Sequence, residues 1–204
     1  MTTDILARNG TPLEVPYFID FIFTDKRMSI VWLLVRLWLG WQWLETGIAK
    51  ITDPAWTQTG ETLKGFWTRA VQIPAEGRPP IAFDWYRGFI QFMLDSNAYV
   101  WFAKIVAVGE VVIGVALILG IFVGLTAFFA GFMNWNFIMA GSASVNGVFL
   151  VLAVLLVLAW KIAGYIGADY FLLPRLANLW IPAPAGNRVR NTSKNSAKTA
   201  TKKK

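Results

Sequence analysis

Four long runs along the chain are apolar on nearly every side: Met28 to Ala49, Tyr99 to Leu119, Ile121 to Ala140 and Gly147 to Gly164. Each holds roughly 18–22 residues, enough at ~1.5 Å of rise per residue to cross the hydrocarbon layer of a bilayer as a helix. The runs do not alternate apolar with polar positions and are too long for the strands of a membrane barrel. Short joins between the second and third runs, and between the third and fourth, make those neighbours antiparallel. The predicted fold is therefore an all-α membrane protein, a four-transmembrane-helix antiparallel bundle. Between the first two runs lies the only large extramembrane part, the external loop 50–98. Within it, "TQTGETLKGFWTRAVQ" reads as an amphipathic helix with Leu63, Phe66, Trp67, Ala70 and Val71 on one face. "GRPPIAFDWYRGFIQFMLDSN" reads as a turn and then a second interfacial helix. A large external loop of short helices follows, and two roles fit it equally: a lid over a site, or a pair of membrane-lying anchors.

Composition agrees with a membrane chain. Apolar residues make up 56% of it, and the mean hydropathy is +0.50. Eleven Trp and five Tyr suit a protein that meets two lipid–water interfaces. Charge sets the orientation. Lys26 and Arg27 precede the first run, and Arg175, Arg188, Arg190, Lys194, Lys198 and Lys202 to Lys204 follow the last. Basic flanks stay inside, so both termini are expected to be cytoplasmic, in the cell membrane. This divides the chain into a cytoplasmic segment 1–27, a membrane domain 28–174 and a basic disordered tail 175–204. The first stretch carries Asp4, Arg8, Glu14 and Asp20 and lacks the core of a cleavable signal. The lysine tail reads as solvation and attraction to anionic lipid, and nothing in it supports nucleic-acid binding. Cysteine and histidine are both absent. Thiolate chemistry is excluded within the chain, and no haem or iron–sulfur cluster is expected to be held by it.

Two charges sit deep in the apolar runs. Arg36 lies roughly 12 Å from the inner end of the first helix, and Glu110 roughly 15 Å from the inner end of the second, at 1.5 Å per residue. A lone buried charge costs about 2.5–3.5 kcal/mol on insertion scales. The matched depths predict an Arg36–Glu110 ion pair between the two helices. Small residues support it: Gly40 and Gly47 share the Arg36 face, and Ala103, Ala107 and Gly114 share that of Glu110. Nearer the outer end, Glu45, Lys104, Asn134 and Asn136 fall at about 20–25 Å by the same count, with Trp135 between the asparagines. A Glu45–Lys104 pair and a polar cavity open to the external loop both fit. The fourth run has no polar residue from Val148 to Trp160 and reads as packing and lipid contact.

Together "RLWLGWQWLETGIAKITDP", "GEVVIGVALILGIFVGLTAFFAGFMNWNFIMAGSASVN" and "LAWKIAGYIGADYFLLP" resemble the DoxX/DoxD family, from the first helix to Pro174. The combination of Arg36, Gly47, Lys50, Glu110, Gly114, Gly120 and the "MNWNF" run carries the resemblance. The family is described as the membrane subunit of thiosulfate:quinone oxidoreductases, and in some members as the membrane part of redox-stress complexes. The resemblance thus implies a lipid bilayer, a membrane quinone and a second redox subunit as partners. The quinone site it implies draws on Arg36, Trp43, Glu110, Asn134, Trp135 and Asn136. Trp38 and Trp41 would be further aromatic walls, and Arg36 and Glu110 are the catalytic candidates. Lys50, Lys104 and Arg69 are the candidates for an anionic substrate. Each also has a structural reading. The buried charges can be a pin between helices, the asparagines interhelical glue, and the tryptophans an interfacial belt. Two further classes fit the residues. One is a non-catalytic scaffold, which the missing His and Cys favour. The other is a small-solute transporter, against which stands the lack of an inverted repeat.

Overall fold

The computed structural model describes residues 15–180. The chain forms two compact units, Met1–Tyr170 and Phe171–Lys204. Among the described residues the secondary structure is helical throughout. In chain order the helices are α1 (Tyr17–Thr24), α2 (Ser29–Thr52), α3 (Pro54–Thr57), α4 (Glu61–Ala70), α5 (Asp84–Asp95), α6 (Tyr99–Leu119), α7 (Val123–Met139), α8 (Asn146–Leu158), α9 (Trp160–Ala163) and α10 (Asp169–Trp180), with a 3-10 turn at Lys26–Met28. In the second unit the described residues are those of α10, which continues to Trp180. The helix therefore runs into what the sequence reads as a disordered tail from residue 175. The rest of that tail, and the first fourteen residues, lie outside the described residues.

In the first unit α2, α6, α7 and α8 pack in a ring: α2 on α6, α6 on α7, α7 on α8 and α8 on α2. Of the described helices only α6 is both long and apolar enough to cross a membrane unaided. α2 is 24 residues long but carries Arg36, Glu45 and Lys50, while α7 and α8 have 17 and 13 residues. The fourth apolar run is not one helix. It breaks at Ala159, and α9 follows as a separate short helix.

Glycine sets the tightest seam. A Cβ on Gly114 of α6 would lie 2.5 Å from the Leu44 backbone nitrogen, and one on Gly47 of α2 would lie 2.7 Å from that of Val111. Gly40 in turn meets Gly114 and Ile118. These contacts fix an antiparallel register in which the two helices are staggered rather than flush. The α2 end near Ser29 runs past Gly120, and the α6 end near Tyr99 runs past Thr52. Both overhangs are covered. α3 and α4 pack beside the start of α6, and α9 packs beside the start of α2.

The segment 50–98 folds into a cap with a core of its own. Leu63, Trp67 and Ala70 of α4 meet Ile81 and Tyr86, Ile90 and Met93 of α5, with Ala98, Tyr99 and Ala103 beneath them. The amphipathic face expected on α4 is this buried face, and Phe66 and Val71 pack against it. Asp53 starts α3, its carboxylate accepting from the Ala55 backbone N–H at 2.9 Å, with Pro54 as the first helical residue.

Candidate functional site

Arg36 and Glu110 are both 1% exposed, but they are not partners. Their expected pairing assumed flush helix ends, and the stagger overturns it. Glu110 is level with Gly47, whose Cβ position meets the Glu110 Cβ at 3.0 Å. Arg36 is eleven positions earlier on α2, roughly 16 Å away along the axis. Each charge has its own answer. Arg36 donates from Nη1 to the Ala163 carbonyl at 3.2 Å and from Nη2 to the Ile166 carbonyl at 2.7 Å. The first carbonyl ends α9 and the second lies in the bend that follows it. The charge of Asp169 also acts on it. Asp169 itself accepts from the Phe122 and Val123 N–H groups at 2.6 and 2.8 Å, capping α7. Gly120 (φ 70) and Gly167 leave room for the guanidinium, for their Cβ positions would fall 1.9 and 2.5 Å from Nη1. Arg36 thus ties α2 to α9 and to the α6–α7 turn.

Glu110 instead forms an ion pair with Lys50, near the far end of α2. The Lys50 ammonium lies 5.0 Å from the centre of the Trp56 ring and 5.4 Å from that of Phe137, a cation–π setting on two sides. Glu110 Oε1 takes this contact, and Oε2 is left without a partner. Nearby, Asn134 is fully buried, with neither amide atom hydrogen-bonded, and the indole Nε1 of buried Trp43 is also unpartnered. A buried donor or acceptor left unpaired costs about 1–3 kcal/mol.

All these groups line one cavity of about 930 Å3. Its wall is otherwise mostly apolar and rich in aromatic rings. α3, α4 and α5 roof it with Trp56, Trp67, Tyr86 and Ile90, and α6 and α7 form its sides. So the segment 50–98 forms part of an enclosure. Of the residues proposed from sequence, the structure brings Trp43, Lys50, Glu110, Asn134 and Asn136 around this space. Arg36 is at the other end of α2, in the carbonyl cradle. Trp135 is 39% exposed and is not part of the lining, although it stacks on Phe132, which is. Trp38 and Trp41 also point outward, 49% and 59% exposed. Lys104, Arg69 and Glu45 are exposed, and Lys104 and Glu45 form no ion pair among the described residues.

Asn136 lines the cavity but is occupied. Its amide donates to the Phe132 carbonyl at 2.8 Å, and its two oxygens lie 3.1 and 3.2 Å from the Tyr86 hydroxyl. Tyr86 was not marked by the sequence, and its signal is its place on the buried face of α5. Burial pushes its hydroxyl up to about 12. A folded-state pKa above the ordinary value near 10 makes the neutral phenol a stabiliser. That stability is full below about pH 10 and is lost as pH rises towards 12. Phenolate formation would set a negative oxygen against two carbonyl oxygens and release α5 from α7. Tyr86→Phe is expected to remove this alkaline step. Phenolate absorbance and cap proteolysis, followed across that window, check it, and an alkaline step unchanged in the variant would refute it.

Residues 31–145 match the DoxX family, from the first turn of α2 to the threshold of α8. No curated protein and no solved structure matches the chain. The matched span covers more than half of the chain and includes Trp43, Lys50, Glu110 and Asn134, and on that match the protein belongs to the DoxX family.

Proposed function

We propose that this protein is a multi-pass subunit of a thiosulfate:quinone oxidoreductase-like system in the cell membrane, and that its cavity binds the quinone. One observation carries the reading: unpaired buried polar atoms of Trp43, Glu110 and Asn134 converge on a large aromatic-walled space. An apolar ring bearing carbonyls needs such a place, with greasy walls and a few fixed donors. The Asn134 amide and the Trp43 indole N–H are the donors. Glu110 is placed to hold a proton, and Lys50 holds its carboxylate in position. A bound quinone supplies an acceptor for two electrons and two protons. With neither Cys nor His in the chain, the centre that delivers the electrons is assigned to a second subunit. The same lack favours the alternative, a membrane scaffold for a redox-stress complex that turns nothing over itself.

The outward faces support the membrane placement. On α6, Trp101, Ile105, Val108, Val112, Val115 and Leu119 recur every three or four residues and are all exposed. An apolar stripe of that length is costly in water and at home in lipid. In this topology α2, α6, α7 and α8 span, the cap lies outside and both termini lie inside. Because the protein has no cysteine, single cysteines at Thr59 and Lys26 report on it directly. An impermeant thiol reagent added to intact cells should label the first and spare the second. Equal labelling of both would reject this topology.

Asn134 decides between ligand site and interhelical glue. Asn134→Val is expected to weaken quinone binding about tenfold, equivalent to ~1.4 kcal/mol. It should also raise the melting temperature of the ligand-free protein, because a stranded amide is removed. Titration of Trp fluorescence with quinone and a melting curve on the same sample test both halves. A lower melting temperature with unchanged binding would make Asn134 glue and sink the site.

A further inference from the structure

We infer that the seam between α6 and α7 is a side entrance from the bilayer, and that it seats the long apolar tail of the ligand whose head meets Asn134 and Glu110. This rests on the quinone reading above and extends it to the class of quinone, a tailed one that never leaves the membrane.

The seam is looser than its connection suggests. α6 and α7 are joined by only Gly120, Ile121 and Phe122, yet they touch along far less of their length than α2 and α6 or α7 and α8 do. The cavity fills the difference. Its lining leaves the buried head region and continues between the helices, along Ile105, Val112 and Ala116 of α6 and Leu125, Phe129 and Phe132 of α7. Five of these six are outward residues, between 50% and 58% exposed. A wall that is both cavity lining and outer surface is an opening. It is apolar apart from Thr126, whose hydroxyl donates back to the Ile121 carbonyl, and it faces where lipid lies in the proposed topology. The water-facing end is roofed by the aromatic cap. At the head end, Gly109 of α6 faces the Met133 thioether, with Sδ 3.6 Å from where a Cβ would be. A flexible thioether against a bare backbone can yield to a passing ring.

Size points the same way. The volume of about 930 Å3 sits near the top of the ~300–1,000 Å3 range of sites that enclose small ligands. A single quinone ring uses only the polar end. From Asn134 to Leu125 the crevice runs roughly 14 Å along α7 at ~1.5 Å per residue and continues to Phe122 and Ile121 in the turn before it, a length that fits a chain rather than a second head.

The test compares two quinones with the same head, one bearing a ten-carbon tail and one without, bound to the detergent-purified full chain. Ala116→Phe plugs the crevice without touching Trp43, Lys50, Glu110 or Asn134. Val115→Phe places the same ring one residue away on the outer face, and so corrects for partition of the tail into the micelle. Relative to Val115→Phe, Ala116→Phe is expected to lose about tenfold in affinity for the tailed quinone and to keep its affinity for the tailless one. Leu125→Trp plugs from the opposite wall and should behave alike, which covers failure of either plug to fold. Equal behaviour of the plugs and Val115→Phe would overturn the entrance while leaving the quinone site standing. Wild-type protein that binds neither quinone would overturn the quinone reading, and the entrance with it.

Discussion

Arg36→Met is expected to lower the stability of the purified protein by about 3–5 kcal/mol, the usual loss when one member of a buried charge arrangement is removed. The side chain is 1% exposed and donates to two carbonyls from the far end of the chain. Without it, the Ala163 and Ile166 carbonyls lose their donor, the charge of Asp169 loses its counterweight, and a cavity opens between α2, α9 and the α6–α7 turn. Arg36→Lys should restore little. An ammonium is a single point of charge, and it cannot span two carbonyls as the planar fork does. Gly120→Ala should reproduce much of the defect, since its Cβ would overlap the guanidinium at 1.9 Å, on backbone with φ of 70°. The decisive comparison is with Glu110. If the two charges answer to different partners, the losses of Arg36→Met and Glu110→Met add within about 0.3–0.5 kcal/mol. Recovery in the double variant would restore the direct pairing that the staggered register rejects. Melting curves in one detergent, across all four proteins, measure it.

The error that placed Arg36 beside Glu110 shows where sequence reasoning stops. Residue patterns located the helices well, because an apolar run and its length are local properties. The second run coincides with α6 from Tyr99 to Leu119, and the buried face of α4 is the one the amphipathic pattern marks. Burial of both charges was legible too, from the small residues around each. Their axial match was not. Depth along a helix counts from its own end, and the ends of α2 and α6 are offset. That offset comes from Gly40, Gly47 and Gly114 seating against the facing backbone, a contact between distant segments. The same glycines, counted as paired across an antiparallel seam, would have brought Glu110 beside Gly47 and within reach of Lys50, one turn further on. The break at Ala159 had no local signal, the residue being neither Gly nor Pro, and the Ala163 and Ile166 carbonyls that meet Arg36 come after it. Of the proposed site, Trp43, Asn134 and Glu110 were legible as polar groups in apolar helices. Trp135 was chosen for standing between two asparagines, but it faces outward, since adjacent helix positions lie about 100° apart.

Lys50→Met is expected to cost as much as loss of Arg36, about 3–5 kcal/mol, and Glu110→Gln markedly less. The asymmetry follows from exposure. The Glu110 side chain is 2% exposed, and that of Lys50 is 21% exposed. Removal of the lysine strands a carboxylate in an apolar cavity with both oxygens unpartnered. Removal of the acid's charge leaves an ammonium that still has Trp56 and Phe137 beneath it and can reach towards water on its flexible stem. Lys50→Met combined with Glu110→Met should recover much of the loss, because neither charge is then left alone in the cavity. Strictly additive losses would mean that the two groups do not stabilise each other. Quinone binding then separates pin from site. In the double variant the α2–α6 seam keeps Gly47 against Val111, so the bundle should stay folded and the cavity open. If the pair only holds two helices together, that variant binds quinone like the wild type and supports the same quinone-linked turnover in its complex. If Glu110 carries a proton to the head, binding through Asn134 and Trp43 persists while turnover falls, and supplying protons by lowering the pH does not restore it. Turnover at the wild-type rate would leave Lys50 and Glu110 as a fastening between α2 and α6, with Asn134 and Trp43 as the polar groups that read the ligand.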